Sequence, residues 1–158
     1  AKSVLNKLMS LDLLKENDSN RIQILGCDSI FYFKSKIYGK PRNKMEAFER
    51  WSMMSSNFGF LKTGHCVLFC EFNKNKSQLV IKKIVKQAVS SKVYFVELTE
   101  KEIINYVDSL EPLFCAGGFA LEGIGGKYIK KIEGCFSNVM GLSLPWLRDT
   151  LLDENINI

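Results

Sequence analysis

Apolar residues recur along this chain with two periods, and the changes between them lay out its elements. Val4, Leu5, Leu8 and Leu11 share one helical face, so residues 1 to about 16 are expected to be a helix, with a polar loop over 16–20. Ile22-Gln23-Ile24-Leu25 reads as a buried strand that Asp28 ends. Ile30 to Phe33, a polar tip Lys34-Ser35-Lys36, and Ile37-Tyr38-Gly39 read as a hairpin with a short loop. Met45, Phe48, Trp51 and Met54 then return at helical spacing behind Asn43 and Glu46, a pair that resembles a capping box. A helix over about 44–55 with that stripe in the core is expected. Two long strand patterns follow, 58–72 and 78–97, joined by a polar turn and expected to lie antiparallel. Thr99 and Glu102 make a second capping box, whose helix stops at Glu111-Pro112. A glycine-rich stretch covers 115–126, a strand is expected over 127–132, and 137–142 reads as a loop. Ser143 caps a last helix, with Pro145 in its first turn.

Length and composition narrow the class. A chain of 158 residues suits one domain with one core, here 1–158, and 46% hydrophobic with 25% charged residues is ordinary for a globular protein. The net charge of +5 suits an anionic ligand without demanding nucleic acid. The lysines Lys82, Lys83, Lys86 and Lys92 lack interleaved aromatics and read as a solvated strand face. No apolar run reaches the ~20 residues of a membrane span, and no signal peptide is visible. Five cysteines with no CxxC pair read as reduced core residues of a cytoplasmic protein. His65, with only Cys66 and Cys70 nearby, reads as a structural strand residue rather than a metal ligand or base. The chain has no initiator Met and opens inside a helical pattern, so an N-terminal segment is expected to be missing from it.

The candidate chemistry centres on the hairpin. If its turn lies near Lys34 and Ser35, Ser29 faces Lys40, and Asp28 and Lys40 become near neighbours, since facing Cβ atoms in such a ladder are about 5 Å apart. Pro41 holds Lys40 in extended geometry. A carboxylate there can hold a metal ion or take a proton from water, and a lysine can hold a phosphate. The same spacing also fits a plain surface ion pair. The glycine-rich stretch is neither a Walker A loop, since Ile124-Gly125 replaces Lys-Ser/Thr, nor GxGxxG, since Tyr128 stands at the third glycine.

The ordered set Gly26-Cys27-Asp28-Ser29, Gly39-Lys40-Pro41, Thr63-Gly64, Glu111-Pro112, Cys115-Ala116-Gly117-Gly118-Phe119, Glu122-Gly123 and Ser137-Asn138-Val139-Met140-Gly141-Leu142 closely resembles the Maf (septum formation inhibitor) family of nucleoside triphosphate pyrophosphatases, over about residues 1–152. The resemblance implies an α/β fold of the Maf/ITPase-like kind, with a long mixed central sheet flanked by helices and two lobes around a cleft. It implies a cytoplasmic house-cleaning hydrolase that cleaves nucleoside triphosphates to monophosphate and pyrophosphate with a divalent cation, Mg²⁺ or Mn²⁺. A homodimer is implied, with no membrane and no nucleic acid as partner. By the same resemblance Asp28 would accept the proton of the attacking water and hold metal, and Lys40 would bind phosphate. Ser29 and Glu122 fall where base choice is set, although Glu122 also fits an exposed loop carboxylate. Thr63-Gly64 fits either backbone contact with the ligand or packing. Ser29 resembles the dTTP/UTP branch and Glu122 the 7-methyl-GTP branch, so the base is left open. The family's opening strand, its S-x-P-R-R-type loop and a following acidic residue have no counterpart in this sequence. That gap motivates an alternative, a non-catalytic nucleotide-binding protein on the same fold.

Overall fold

The computed structural model describes residues 1–9, 21–73 and 78–156. Helix α1 covers Lys2–Met9. The rest of the expected first helix, its loop and the turn at 74–77 lie outside the described residues. Strands β1 (Arg21–Phe33), β2 (Lys36–Tyr38), β3 (Phe58–Asn73), β4 (Gln78–Phe95) and β5 (Ile129–Glu133) form one sheet in the order β2-β1-β3-β4-β5. The pairs β1–β2 and β4–β5 are antiparallel. The helices are α2 (Lys44–Met54), α3 (Glu100–Asp108), α4 (Phe136–Val139) and α5 (Leu144–Leu152), giving the α/β architecture.

Two compact units share these strands. One comprises Ala1–Cys27 and Gly64–Gln87, the other Asp28–Thr63 and Ala88–Ile158. In the first, Leu5 of α1 packs with Ile24, Leu68, Cys70 and Leu79. In the second, Trp51 is the centre of an aromatic core. Its ring meets Phe95, Tyr106 and Tyr128 edge-on at 5.4, 5.1 and 5.7 Å, and its Nε1–H donates to the Gly118 carbonyl at 2.8 Å. Edge-to-face geometry suits the ring quadrupole, at about 0.5–1.5 kcal/mol per pair beyond area burial.

β1 does not end at Asp28; it runs through it for 13 residues. The expected break is a change of phase. The core position before it is even-numbered, Ile24, and those after it are odd, Phe31 and Phe33. Side chains alternate across a strand, so the buried positions of the first unit and those of the second follow different parities. Leu25 is exposed rather than buried.

The hairpin forms as its pattern predicts. Phe31 pairs with Tyr38 and Phe33 with Lys36, and the ladder stops at Tyr38, so Lys40 lies beyond the paired residues rather than in register with Ser29. Lys34 and Ser35 both take left-handed φ (45° and 62°), the combination a two-residue primed turn demands.

The α2 stripe is corrected at one end. Trp51 and Met54 are buried, but Met45 is 70% exposed, and the inward face is Ala47, Arg50, Trp51 and Met54. Nine residues at about 100° each put Met45 half a turn away from Met54, so a repeat of three drifts round the helix. Asn43 does accept the Glu46 N–H at 2.9 Å. The Glu46 carboxylate, however, takes the Arg42 N–H and the Arg50 guanidinium instead of closing a box. Thr99 and Glu102 close theirs in full. The 137–142 segment holds α4 rather than loop throughout, and β5 begins two residues later than expected, after a 3-10 turn over Ile124–Tyr128. Of the five free cysteines only Cys70 is buried; Cys27 is exposed.

Candidate active site

Ser29 follows Asp28 on β1 and points the other way across the strand, to the Phe31 side. Its hydroxyl meets Thr63 Oγ1 at 2.8 Å, and Thr63 Oγ1 in turn donates to the Asn138 carbonyl at 3.1 Å. Thr63 has one hydroxyl proton, which Asn138 takes. Ser29 must therefore be the donor in the first bond, and its lone pairs are all it has left for anything else. Thr63 itself is fully buried, so it reaches a ligand only through Ser29. Asn138, also fully buried, is held by its Nδ2 donating to the Val89 carbonyl at 3.2 Å and to Ser91 Oγ at 3.1 Å.

Ser29 lines a pocket of about 200 Å³ with Glu122, Cys115, Phe119, Phe114 and Met140 among its walls. Phe114 and Met140 are exposed apolar residues at 71% and 51%. Glu122 is exposed on the glycine-rich loop. The pocket thus combines two hydrogen-bond acceptors, Ser29 Oγ and the Glu122 carboxylate, with apolar side chains. Burial pushes the Cys115 thiol above its ordinary value; the charges of Glu111 and Glu122 add to this and Lys40 opposes it. Lys40 and both acids are therefore within electrostatic range of one pocket residue.

Lys40 is exposed, and the backbone beneath it is fixed from two sides. The Gly39 carbonyl accepts from Arg50 Nη1 at 2.6 Å and from the Gly117 N–H at 3.1 Å. Gly117 has φ 73°, and a Cβ there would overlap Phe31, so both its conformation and its contact require glycine. Arg50 is only 7% exposed, pairs with Glu46, and stacks over Tyr38 at 4.9 Å. The Arg42 backbone N–H, then the Arg50 and Arg42 guanidinium groups, hold Glu46 down to about 2.

Asp28 is exposed, and one of its oxygens accepts the Ser29 N–H at 2.9 Å. It does not line the Ser29–Glu122 pocket, and among the described residues it makes no ion pair with Lys40. No three His, Cys, Asp or Glu side chains cluster for a metal among the described residues. Asp28 supplies an exposed carboxylate on β1. His65 is buried on β3.

The residue given no role from sequence is Glu111, read there as a helix stop and as part of the motif set. Its carboxylate accepts from Ile124 N–H at 2.7 Å, Gly125 N–H at 2.9 Å and the Tyr106 hydroxyl at 2.7 Å. Burial alone would raise its pKa, but these hydrogen bonds outweigh that and lower it. Tyr106 is pushed up, by burial first and then by Glu111. A glycine-rich loop leaves backbone N–H groups in need of acceptors, and the acid just ahead of it was the available signal.

Residues 1–154 match the family described as Maf-like protein, and the chain, an α/β fold, belongs to that family. Among similar proteins, one from Prochlorococcus marinus strain AS9601, named nucleoside triphosphate pyrophosphatase, is 58% identical over 96% of this chain and 74% of its own. Those of strain MIT 9312 (55%, over 99% and 76%) and strain MIT 9313 (47%, over 85% and 67%) carry the same name. No helix among the described residues is long and apolar enough to cross a membrane.

Proposed function

We propose that this chain hydrolyses nucleoside triphosphates to the monophosphate and pyrophosphate. The observation that carries this reading is the pocket in which Ser29 and Glu122 both present acceptors, with Lys40 in electrostatic range of its Cys115 wall. Two acceptors match the N–H groups on a nucleobase edge, and Phe114 and Met140 offer apolar surface to its faces. Lys40 would hold the phosphates as a point charge on a fixed backbone. Asp28 would accept the proton of the attacking water as the new P–O bond forms and the α–β bridging P–O bond breaks, with pyrophosphate leaving. A divalent cation, Mg²⁺ or Mn²⁺, held at Asp28 would neutralise phosphate charge. Thr63 would act by fixing which way the Ser29 hydroxyl points. The working assembly would be a homodimer acting on free nucleotides in the cytoplasm rather than on nucleic acid.

The test is product analysis. With each nucleoside triphosphate and Mg²⁺, monophosphate and pyrophosphate should appear in equal amounts, and Lys40→Ala should raise KM about tenfold or more. Diphosphate with inorganic phosphate as products would overturn the reading. Nucleotide binding without turnover would favour the non-catalytic alternative.

A further inference from the structure

We propose that Glu111 is the positioning residue of the loop that carries Glu122, fixing where the pocket presents its carboxylate. This rests on the nucleotide reading of the pocket. Among the described residues no hydrogen bond or ion pair holds the Glu122 side chain; it is exposed and flanked by Gly123. Immediately after it the chain turns, and the two N–H groups of that turn, on Ile124 and Gly125, both end on Glu111, one on each carboxylate oxygen. The oxygen that takes Gly125 also takes the Tyr106 hydroxyl. Tyr106 is 1% exposed and wedged against Trp51, so the anchor is tied to the aromatic core. A side chain bridging a rigid core and a turn one residue from Glu122 sets the position of that residue. Three donors converge on one ionised group, and charge-assisted hydrogen bonds are about twice as strong as neutral ones.

The glycine at 123 belongs to the same device. Its φ of −104° is open to any residue, so backbone freedom does not explain it. A Cβ there would overlap the Glu111 carboxylate, so glycine is needed for that approach.

The test compares the full chain with Glu111→Gln and Gly123→Ala. The first replaces one acceptor oxygen with a donor. The second leaves Glu111 intact but pushes its carboxylate off the turn, and it serves if the first fails to fold. In either variant, amide hydrogen exchange at Ile124 and Gly125 should quicken. KM for the preferred nucleotide should rise about tenfold with kcat within about threefold, and the preference between nucleobases should narrow. A purely structural role would lower thermal stability and leave base preference alone. Unchanged exchange, or quickened exchange with wild-type KM and base preference, overturns the proposal. If the wild type turns over no triphosphate, the enzymatic reading fails separately, and the dissociation constant for nucleotide decides the anchor: weakened about tenfold supports it, unchanged overturns it. Absence of any nucleotide binding overturns both.

Discussion

The single proton of the Thr63 hydroxyl decides what Ser29 can do. Given to the Asn138 carbonyl, it leaves Thr63 as acceptor and Ser29 as the donor toward it, so the pocket meets an oxygen with only lone pairs to offer. Thr63→Val keeps the shape, removes both hydrogen bonds and frees the Ser29 proton. It should lower stability by about 1–3 kcal/mol, read from the urea midpoint, since the buried Asn138 carbonyl loses a donor. It should also shift preference toward bases that present an acceptor where the wild type favours a donor. An unchanged base preference would remove the Thr63 relay from the account. Nothing in the sequence displayed this relay, because Ser29, Thr63 and Asn138 are far apart along the chain and only the fold brings their oxygens together. Asp28, Lys40, Ser29 and Glu122 were singled out from short motifs with fixed spacing, and of these the fold places Ser29 and Glu122 in one pocket.

At the scale of elements, α2 does two things that its apolar pattern did not announce. Its Arg50 faces inward and clamps the Gly39 carbonyl beneath Lys40, and its Glu46 neutralises that guanidinium. Periodicity found the helix but not its rotation, because a repeat of three residues slides round the surface and an inward arginine breaks the polar-outside rule. The pair carries a pH signature. Glu46 is held from an ordinary 4.5 down to about 2 by the Arg42 N–H and the two guanidinium groups. A lowered carboxylate pKa adds stability that is present above the unfolded value and fades as pH falls through the folded one. Glu46→Gln should therefore be clearly less stable than wild type at pH 6, with the gap closing between about 4.5 and 2 in thermal melts. A gap independent of pH would mean the ion pair contributes nothing. The hairpin's register, by contrast, was readable, because the alternation of Phe31 and Phe33 with the polar tip leaves one pairing that keeps both rings inside.

Across the whole molecule, the long strands β1, β3 and β4 are shared by two compact units, each with its own apolar cluster. The sequence marked the changeover on β1 but suggested a strand end, because a change of phase and a stop look alike in a hydrophobic pattern. Asp28 lies at that switch. There the strand buries neither neighbour fully, and an ionised group can stay in water. The glycine-rich loop was visible as a loop but not as an organised one, since its order comes from Glu111 and the Tyr106 core. The most direct test of the account is pyrophosphate release by Asp28→Asn beside the wild type, with nucleotide binding measured in both. The substitution keeps an oxygen able to accept the Ser29 N–H at an exposed position, so the fold, the melting temperature and nucleotide binding should persist while release falls by at least about a hundredfold. Release at the wild-type rate would contradict the central claim.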